Sequence, residues 1–309
     1  MSRTHCGTGP SSSSASADSV SIMRASELFA SGPTTVADLL DGESGAAVVL
    51  GVFPTAMYLR LAGGEVIALL TRDAVLLPLG LRLPIHSADH PLDRWTGPVL
   101  VGSSQVRVGD QSIRLSHVVS VRAPAGLEPN PHAIAYAARA LGRLDQVEPA
   151  PGLLAAVMSD ERVLSPTTVV GRMLGLGPGL TPAGDDILAG FLIGAWSFGL
   201  AEDQLRAAVL DAAPARTTAL SAALLRCASR GESMPQVTAL VLALSERATS
   251  SGRPDDALAE LKKVGHTSGA ALAAGVVAAA RMATESLGDA ATCASAVPAG
   301  HSPRGGSTR

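Results

Sequence analysis

The feature that most constrains the fold of this 309-residue chain is a change in apolar patterning at Pro129-Asn130-Pro131. From about residue 36 to 128, apolar runs are short and β-branched, and turn residues separate them. After residue 131, apolar residues recur at helical spacing in segments rich in Ala and Leu. The sequence therefore predicts an α+β protein, with a β-rich domain over 36–128 and an all-helical domain over 130–287.

The predicted strands are Ala46–Phe53, Met57–Leu61, Val66–Leu70, Val75–Leu79, Val99–Val101, Val106–Val108, Ile113–Leu115 and Val118–Val121. Glycine-containing segments at 62–65 and 109–111 separate neighbouring runs as hairpin turns do. Because no helix-period segment of useful length interrupts these runs, we expect antiparallel pairing rather than βαβ units.

The predicted helices are His132–Leu144, Leu153–Met158, Thr167–Leu174, Ile187–Leu200, Gln204–Ala213, Ala219–Arg230, Pro235–Thr249, Asp255–Val264 and Ala270–Ser286. Two apolar stretches, Ile187–Ala201 and Ala270–Ala280, are shorter than the roughly 20 residues that span a membrane. We therefore expect buried helices and no membrane association.

Composition narrows the functional classes. Residues 1–20 and 288–309 are predicted to be disordered tails. A formal charge of −3 without a Lys/Arg cluster argues against nucleic-acid binding. The three cysteines match no disulfide or metal spacing, as is typical of a reduced intracellular protein, so we expect a cytoplasmic location.

One glycine-rich loop, Gly175–Asp186, is the strongest candidate for a small-molecule site. Gly175, Gly177 and Gly179 alternate, and Thr181-Pro182 then predicts an N-cap followed by proline at the first helical position. The following helix start is suited to a phosphate or carboxylate. The loop lacks the Gly-Lys-Ser/Thr of a nucleotide phosphate loop and the third glycine of a dinucleotide fingerprint, which excludes both motifs.

Asp185 and Asp186 fall in the first turn of that helix, directly after Gly184. In one interpretation they only complement the helix dipole. In the other they belong to a site, where one carboxylate holds a cation or a substrate nitrogen and the other orients backbone N–H groups. The pair stands beside glycines and before a fully apolar helix, which favours the second interpretation.

A second segment repeats this pattern, because 183–190 aligns without gaps on 268–275. The alignment indicates two similar helix starts that could face each other across one pocket, although short Ala/Gly-rich segments also match by chance. The second copy lacks both acids and follows His266-Thr267-Ser268, whose side chains offer an imidazole and hydroxyl donors.

Between the two copies lies Arg216-Thr217-Thr218, followed by Ser221 at the start of a helix. Arg216 could balance a substrate anion, and Thr217 and Ser221 could share one helix face. Thr218 or Ser221 could equally be a simple helix cap.

Three segments together resemble the AllH-type family of oxamate carbamoyltransferase subunits, long known only as a bacterial domain of unknown function. They are 175–190, Arg216–Leu225 and Gly265–Gly269. The resemblance extends over about residues 40–285 and is specific in the helical half. Two positions differ from the family pattern, which would have serine at Ala183 and an acid near Ala271.

The resemblance implies a subunit of a multi-subunit enzyme of ureide (allantoin) nitrogen breakdown, with FdrA-like and AllG-like partners. The implied reaction moves a carbamoyl group between oxalurate and phosphate and gives oxamate and carbamoyl phosphate. We expect a small anionic substrate in a site with Asp185, Asp186 and His266 as catalytic residues. The expected binding residues are Gly177, Gly179, Thr181, Gly184, Arg216, Thr217, Ser221, Thr267 and Ser268.

A second hypothesis is a non-catalytic subunit whose site serves assembly or binds a small anion. The sequence names no cofactor, and it leaves metal dependence open. A free-standing hydrolase has little support, because the chain contains no nucleophile-elbow motif.

Overall fold

The computed structural model describes residues 27–142, 165–248 and 253–295 of the chain. The N-terminal part forms a nine-stranded sheet, and the described residues after 130 are mainly helical, which confirms the predicted α+β class. The strands are β1 (Glu27–Gly32), β2 (Gly45–Ala46), β3 (Val48–Val52), β4 (Ala56–Arg60), β5 (Val66–Leu70), β6 (Gly80–Arg82), β7 (Val99–Gly102), β8 (Gln105–Val108) and β9 (Gln111–Val118).

The strand order is β2-β7-β8-β9-β1-β6-β5-β4-β3. Both predicted hairpins are present, since β4 pairs antiparallel with β5 and β8 with β9. The expectation of purely antiparallel pairing is wrong at two places, because β1 pairs parallel with β9 and β5 pairs parallel with β6. The β1–β9 pair joins the two ends of the sheet sequence, a non-local contact that periodicity does not report.

Three local predictions in this region are wrong. Residues 75–79 form no strand but lead through a turn into β6, where the Gly80 N–H donates to the Leu77 carbonyl. Strand β9 ends at Val118, so 119–121 is not a strand. The sheet begins before residue 36 with β1, and a short helix, α1 (Thr34–Leu40), follows that strand and buries Val36 and Leu40.

Alternate residues of β5 are buried on opposite faces of the sheet. Ile67 and Leu69 pack into a core enclosed by the sheet and α1. Val66, Ala68 and Leu70 pack into a second core shared with Leu220, Ala223 and Cys227 of the helical region. The sheet is therefore held directly against the helices, which explains why the sequence of β5 is an unbroken apolar run.

The helices of the C-terminal region confirm the predicted helical pattern within the described residues. They are α2 (Pro131–Gly142), α3 (Pro166–Met173), α4 (Ala183–Phe198), α5 (Asp203–Arg216), α6 (Ala219–Ala228), α7 (Pro235–Ala243), α8 (Pro254–Lys262) and α9 (Ser268–Ser295). The predicted helix Leu153–Met158, the tail 1–20 and residues 296–309 lie outside the described residues. Helix α9 continues to Ser295, beyond the boundary predicted at 287.

The segment that links the two parts belongs to the helical core. Ala123 and Leu127 are buried in it, and their backbone N–H groups donate to the carbonyls of Gly231 and Ser197. The helical core therefore begins several residues before the change of pattern at Pro129.

Helices α4 and α9 form the centre of this core and make the most extensive helix–helix contact among the described residues. The expectation that the apolar stretch of this region is shorter than a membrane span is wrong, because Ser268–Leu287 of α9 is long and apolar enough to cross a membrane. In this structure 61% of its most apolar window is buried inside the protein. Packing against α4 therefore accounts for its apolar composition.

Candidate functional site

The loop between α3 and α4 folds back over the start of α4. Gly175, Gly177 and Gly179 have φ angles of 78°, 116° and 94°, a region that side chains with a Cβ rarely adopt. A Cβ at Gly177 would lie 2.9 Å from the backbone nitrogen of Ala183. The alternating glycines are therefore required by the path of the loop.

The sequence predicts that the start of α4 is suited to a phosphate or carboxylate, but several of its N–H groups are already hydrogen-bonded within the protein. The Gly184 N–H donates to the Leu176 carbonyl at 2.9 Å, and the N–H groups of Asp185 and Asp186 donate to the Pro182 carbonyl. The predicted cap is also displaced by one residue, since Pro182 is the N-cap and Ala183 is the first helical residue. The Thr181 hydroxyl lies instead 3.1 Å from the hydroxyl oxygen of Ser268.

Asp185 links the glycine loop to the start of α6. Its side chain is almost completely buried, with 1% of its surface exposed. One carboxylate oxygen accepts the Gly175 N–H at 2.7 Å, and the other accepts the hydroxyls of Ser221, at 2.6 Å, and Thr217. Asp185 therefore connects the start of α4 to the glycine loop, to Thr217 and to α6. One of its bonds is to a backbone N–H group, that of Gly175, as the second interpretation of the two acids expects.

We expect Asp185→Asn to lower the free energy of unfolding by about 1–3 kcal/mol, because the amide cannot accept all three hydrogen bonds. Thermal unfolding of the full chain measures this effect. Asp211→Asn, a substitution of the same chemistry at an exposed position of α5, is the matched control. Equal stability of the two variants would contradict the linking role of Asp185.

Asp186 differs from Asp185 in having an unpartnered oxygen. Its side chain is 6% exposed, and Oδ2 has no hydrogen-bond partner among the described residues. Burial raises the pKa of Asp186 to about 7. The Ser268 and Thr181 hydroxyls lower this pKa, and the negative charge of Asp185 raises it further. A buried acceptor without a donor is costly, so this oxygen is the atom of the two aspartates with unused hydrogen-bonding capacity.

Thr217, Thr218 and Ser221 lie at or just before the start of α6 and have different roles. Thr218 is the N-cap of α6, because its hydroxyl oxygen accepts the Ser221 N–H at 3.0 Å. The Thr218 hydroxyl also donates to the Leu180 carbonyl at 2.5 Å, which secures the loop. Thr217 lies before the helix, so it and Ser221 meet at Asp185 without sharing a helix turn.

The sequence predicts no binding or catalytic role for Thr218 or Gly175. A threonine directly before an apolar helical run signals the cap at Thr218. The bond from the Gly175 N–H to Asp185 depends instead on the fold of the loop. Arg216 is exposed, and its guanidinium donates to the Gly171 carbonyl of α3 at 2.8 Å. The structure thus places Arg216 at the edge of the cluster with a backbone partner already bound.

The three polar residues at the start of α9 differ in exposure. His266 is exposed, while Thr267 and Ser268 are half-buried. Ser268 lies beside Thr181 and Asp186. The Thr267 carbonyl accepts the Ala271 N–H. The structure therefore brings Ser268 to Asp186 and leaves His266 towards solvent.

The two similar segments pack against each other in a reciprocal way. A Cβ on Gly190 of α4 would overlap the Leu272 carbonyl of α9, and a Cβ on Gly275 of α9 would overlap the Ile187 carbonyl of α4. Gly190 aligns with Gly275 and Ile187 with Leu272 in the gapless alignment. Gly190 thus contacts Leu272, and Gly275 contacts Ile187 in the same way. The internal repeat in the sequence therefore corresponds to a reciprocal pair of contacts at this helix crossing.

The starts of these two helices are equivalent as well. A Cβ at Gly184 would overlap the Met173 carbonyl near the end of α3, and one at Gly269 would overlap the Leu261 carbonyl near the end of α8. The Gly269 N–H donates to the Val264 carbonyl, as the Gly184 N–H does to Leu176. Both acids of the first copy are replaced by alanine in the second, at Ala270 and Ala271.

The described residues contain no group of three or more His, Cys, Asp or Glu that could hold a metal ion. The chemistry that the cluster offers is proton exchange and hydrogen bonding at Asp186. The hydroxyls of Thr181 and Ser268 flank that carboxylate.

Residues 173–280 match the family model described as oxamate carbamoyltransferase subunit AllH. The match confirms the family resemblance predicted from the sequence, over the helical segment that contains the whole cluster. The sheet lies outside the matched residues. No solved structure matches the chain.

Proposed function

We propose that this chain is a subunit of a carbamoyltransferase that converts oxalurate and phosphate to oxamate and carbamoyl phosphate in ureide breakdown. The observation that carries the proposal is the family match over residues 173–280. That segment begins just before the glycine loop and includes Asp185, Asp186 and Ser268. The residues that match the family model therefore include those that form the candidate site.

The proposed reaction needs one proton to move. A phosphate oxygen attacks the carbamoyl carbon, and the bond from that carbon to the oxamate nitrogen breaks. The proton of hydrogen phosphate ends on that nitrogen. A carboxyl group whose pKa is near 7 can take up and release this proton at neutral pH, and Asp186 has such a pKa.

The family description is that of a subunit, so the complete enzyme has other subunits. We propose FdrA-like and AllG-like chains as these partners and the cytoplasm as the location. In this arrangement Asp186 supplies proton transfer, and Asp185 positions the loop and α6 around it. Anionic substrate groups approach from the half-buried side, where Thr181 and Ser268 lie.

The test is turnover of the complex reconstituted from this chain and its FdrA-like and AllG-like partners. We expect Asp186→Asn to lower kcat by about 10²–10⁴-fold, the usual range for loss of a general acid–base, while Asp211→Asn leaves it unchanged. Circular dichroism and co-purification show that the variant is folded and assembled. Undiminished turnover of Asp186→Asn would sink the catalytic assignment.

One observation favours a second candidate, the non-catalytic assembly or small-anion-binding subunit. Asp185 and the first-turn N–H groups of α4 are already bonded to the protein itself. On this hypothesis the cluster holds the loop in the shape that a partner subunit recognises. Asp185→Asn would then weaken co-purification with the partners, and Asp186→Asn would leave both assembly and turnover unchanged.

A further inference from the structure

Asp186 is buried, so the route by which a proton reaches it is a question separate from its pKa. The side chain is 6% exposed, and Oδ2 lies beneath the surface without a hydrogen-bond partner among the described residues. A substrate outside the protein does not touch that oxygen. Proton exchange with such a group proceeds through neighbouring groups within hydrogen-bond reach. The side chains around Asp186 therefore decide how its proton comes and goes.

Three polar side chains influence the Asp186 carboxylate. The hydroxyls of Ser268 and Thr181 lower its pKa, as donors to an ionised carboxylate do, and the charge of Asp185 raises it. Asp185 offers no route outward, because its two oxygens already accept hydrogen bonds from the glycine loop and from α6. The next residue along α4, Ile187, is buried and apolar. The two hydroxyls are thus the polar connection that the described part of the chain gives to Asp186.

The Thr181 and Ser268 hydroxyls form a pair that extends from the buried acid towards solvent. Their oxygens are 3.1 Å apart, and either can donate to the other. Both residues are half-buried, whereas the nearby Gly179 and His266 are exposed. A hydroxyl donates one proton and has lone pairs that accept another, so it can pass a proton on without a change in its own charge. The pair has both the position and the chemistry of a proton relay.

We propose that the hydroxyls of Thr181 and Ser268 carry the proton between Asp186 and the bound substrate or solvent. When Asp186 takes up a proton, the hydroxyl beside it gives its own proton to a carboxylate oxygen and receives one from the other hydroxyl. The substrate or a water molecule then reprotonates the outer hydroxyl. Each hydroxyl loses one O–H bond and gains one, so the net change is one proton on Asp186. Both residues act through Asp186 and are therefore positioning residues.

This inference rests on the proposed function only for the use of the proton in turnover. The route itself is a property of the folded chain, so it can be measured without substrate or partner subunits. It also gives Thr181 and Ser268 a role other than the substrate binding that the sequence predicts for them.

The first test follows the carboxyl carbon of Asp186 by carbon-13 NMR in the full chain alone, and Asp186→Asn assigns the signal. The double variant Thr181→Val/Ser268→Ala removes both hydroxyls. We expect it to raise the pKa of Asp186, because both hydroxyls lower that pKa. We also expect slower proton exchange, seen as broadening of the signal near its pKa. The matched control is Ser112→Ala, which removes a half-buried hydroxyl of the sheet that donates to Gln105.

The second test measures turnover of the reconstituted complex as a function of pH. We expect the double variant to lose about 10²-fold in kcat, the lower end of the range for loss of a general acid–base. Its pH profile should move to higher pH together with the pKa of Asp186. The variant Thr181→Ser/Ser268→Thr keeps both hydroxyls, so it should restore the rate and the profile. A purely structural role would change the amount of folded complex and leave the profile in place.

Three results would overturn the relay. They are an unchanged pKa and exchange rate of Asp186 in the double variant, full turnover by the complex that contains it, and failure of the hydroxyl-keeping variant to restore exchange. These results are distinct from failure of the proposed function. Slowed exchange in the chain alone, combined with no carbamoyl transfer by the wild-type complex, would retain the route and reject the reaction.

Discussion

Asp186→Asn is expected to stabilise the protein at pH 8 and to do so progressively less as the pH falls. The pKa of Asp186 is about 7 in the folded protein, above the usual 3.8 of an aspartate. The folded state therefore binds this proton more tightly than the unfolded state does. Its contribution to stability is fully present below about pH 4 and is lost as the pH rises towards and through 7.

At pH 8 the carboxylate is ionised and buried without a donor, so its neutral replacement should raise the free energy of unfolding by a few kcal/mol. Denaturant unfolding of both proteins between pH 4 and pH 8 measures the difference directly. Asp211→Asn controls for removal of a negative charge at an exposed position. A stability difference that is independent of pH would contradict the assignment of a raised pKa to Asp186.

A gain in stability of Asp186→Asn together with a loss of turnover would distinguish between the two candidate functions. Acidic groups are retained at a destabilising position when their protonation is used, and removal of such a group commonly stabilises a fold. The combination would therefore favour the catalytic subunit over the assembly subunit. Stabilisation with unchanged turnover would favour the assembly subunit.

The second large effect is expected at the crossing of α4 and α9. Gly190→Ala places a methyl group on the Leu272 carbonyl, and Gly275→Ala places one on the Ile187 carbonyl. Backbone cannot rotate away as a side chain can, so each variant should lose about 3 kcal/mol of stability, the upper part of the range for overpacking. Chemical denaturation measures both, and we expect similar values because the contacts are reciprocal.

Gly45→Ala is the control, since a Cβ there would meet no atom within 4 Å. It should change stability by less than about 0.5 kcal/mol. The double variant Gly190→Ala/Gly275→Ala should lose less than the sum of the single variants, because helices already forced apart by one methyl group accommodate the second. Full additivity would show that the two glycines do not share one crossing.

The sequence predicts the local parts of this structure well. Helix-period apolar residues predict α3 to α9, because each helix buries a face that its own residues define. The loop at Gly175–Asp186 is also predicted, because alternating glycines before a proline and two acids are a local signal. The repeat between 183–190 and 268–275 identifies the two segments that meet at the helix crossing.

The parts that the sequence does not predict depend on contacts between distant residues. The parallel pairing of β1 with β9 joins the first and last strands of the sheet-forming sequence, and no local pattern distinguishes parallel from antiparallel neighbours there. The residue type of Thr181 predicts it as the cap of α4. The structure has Pro182 there, and the Thr181 hydroxyl lies beside Ser268, 87 residues away.

Neighbouring residues suffice to place Asp185 and Asp186 at the start of a buried helix behind a glycine loop, because helix starts and loops are set locally. The difference between the two acids arises only in the folded chain. Asp185 accepts hydrogen bonds from Gly175, Thr217 and Ser221, whereas one oxygen of Asp186 has no donor among the described residues. Adjacent helical residues point about 100° apart, so one carboxylate faces α6 and the other faces the start of α9, and the packing of those distant elements gives each acid its surroundings.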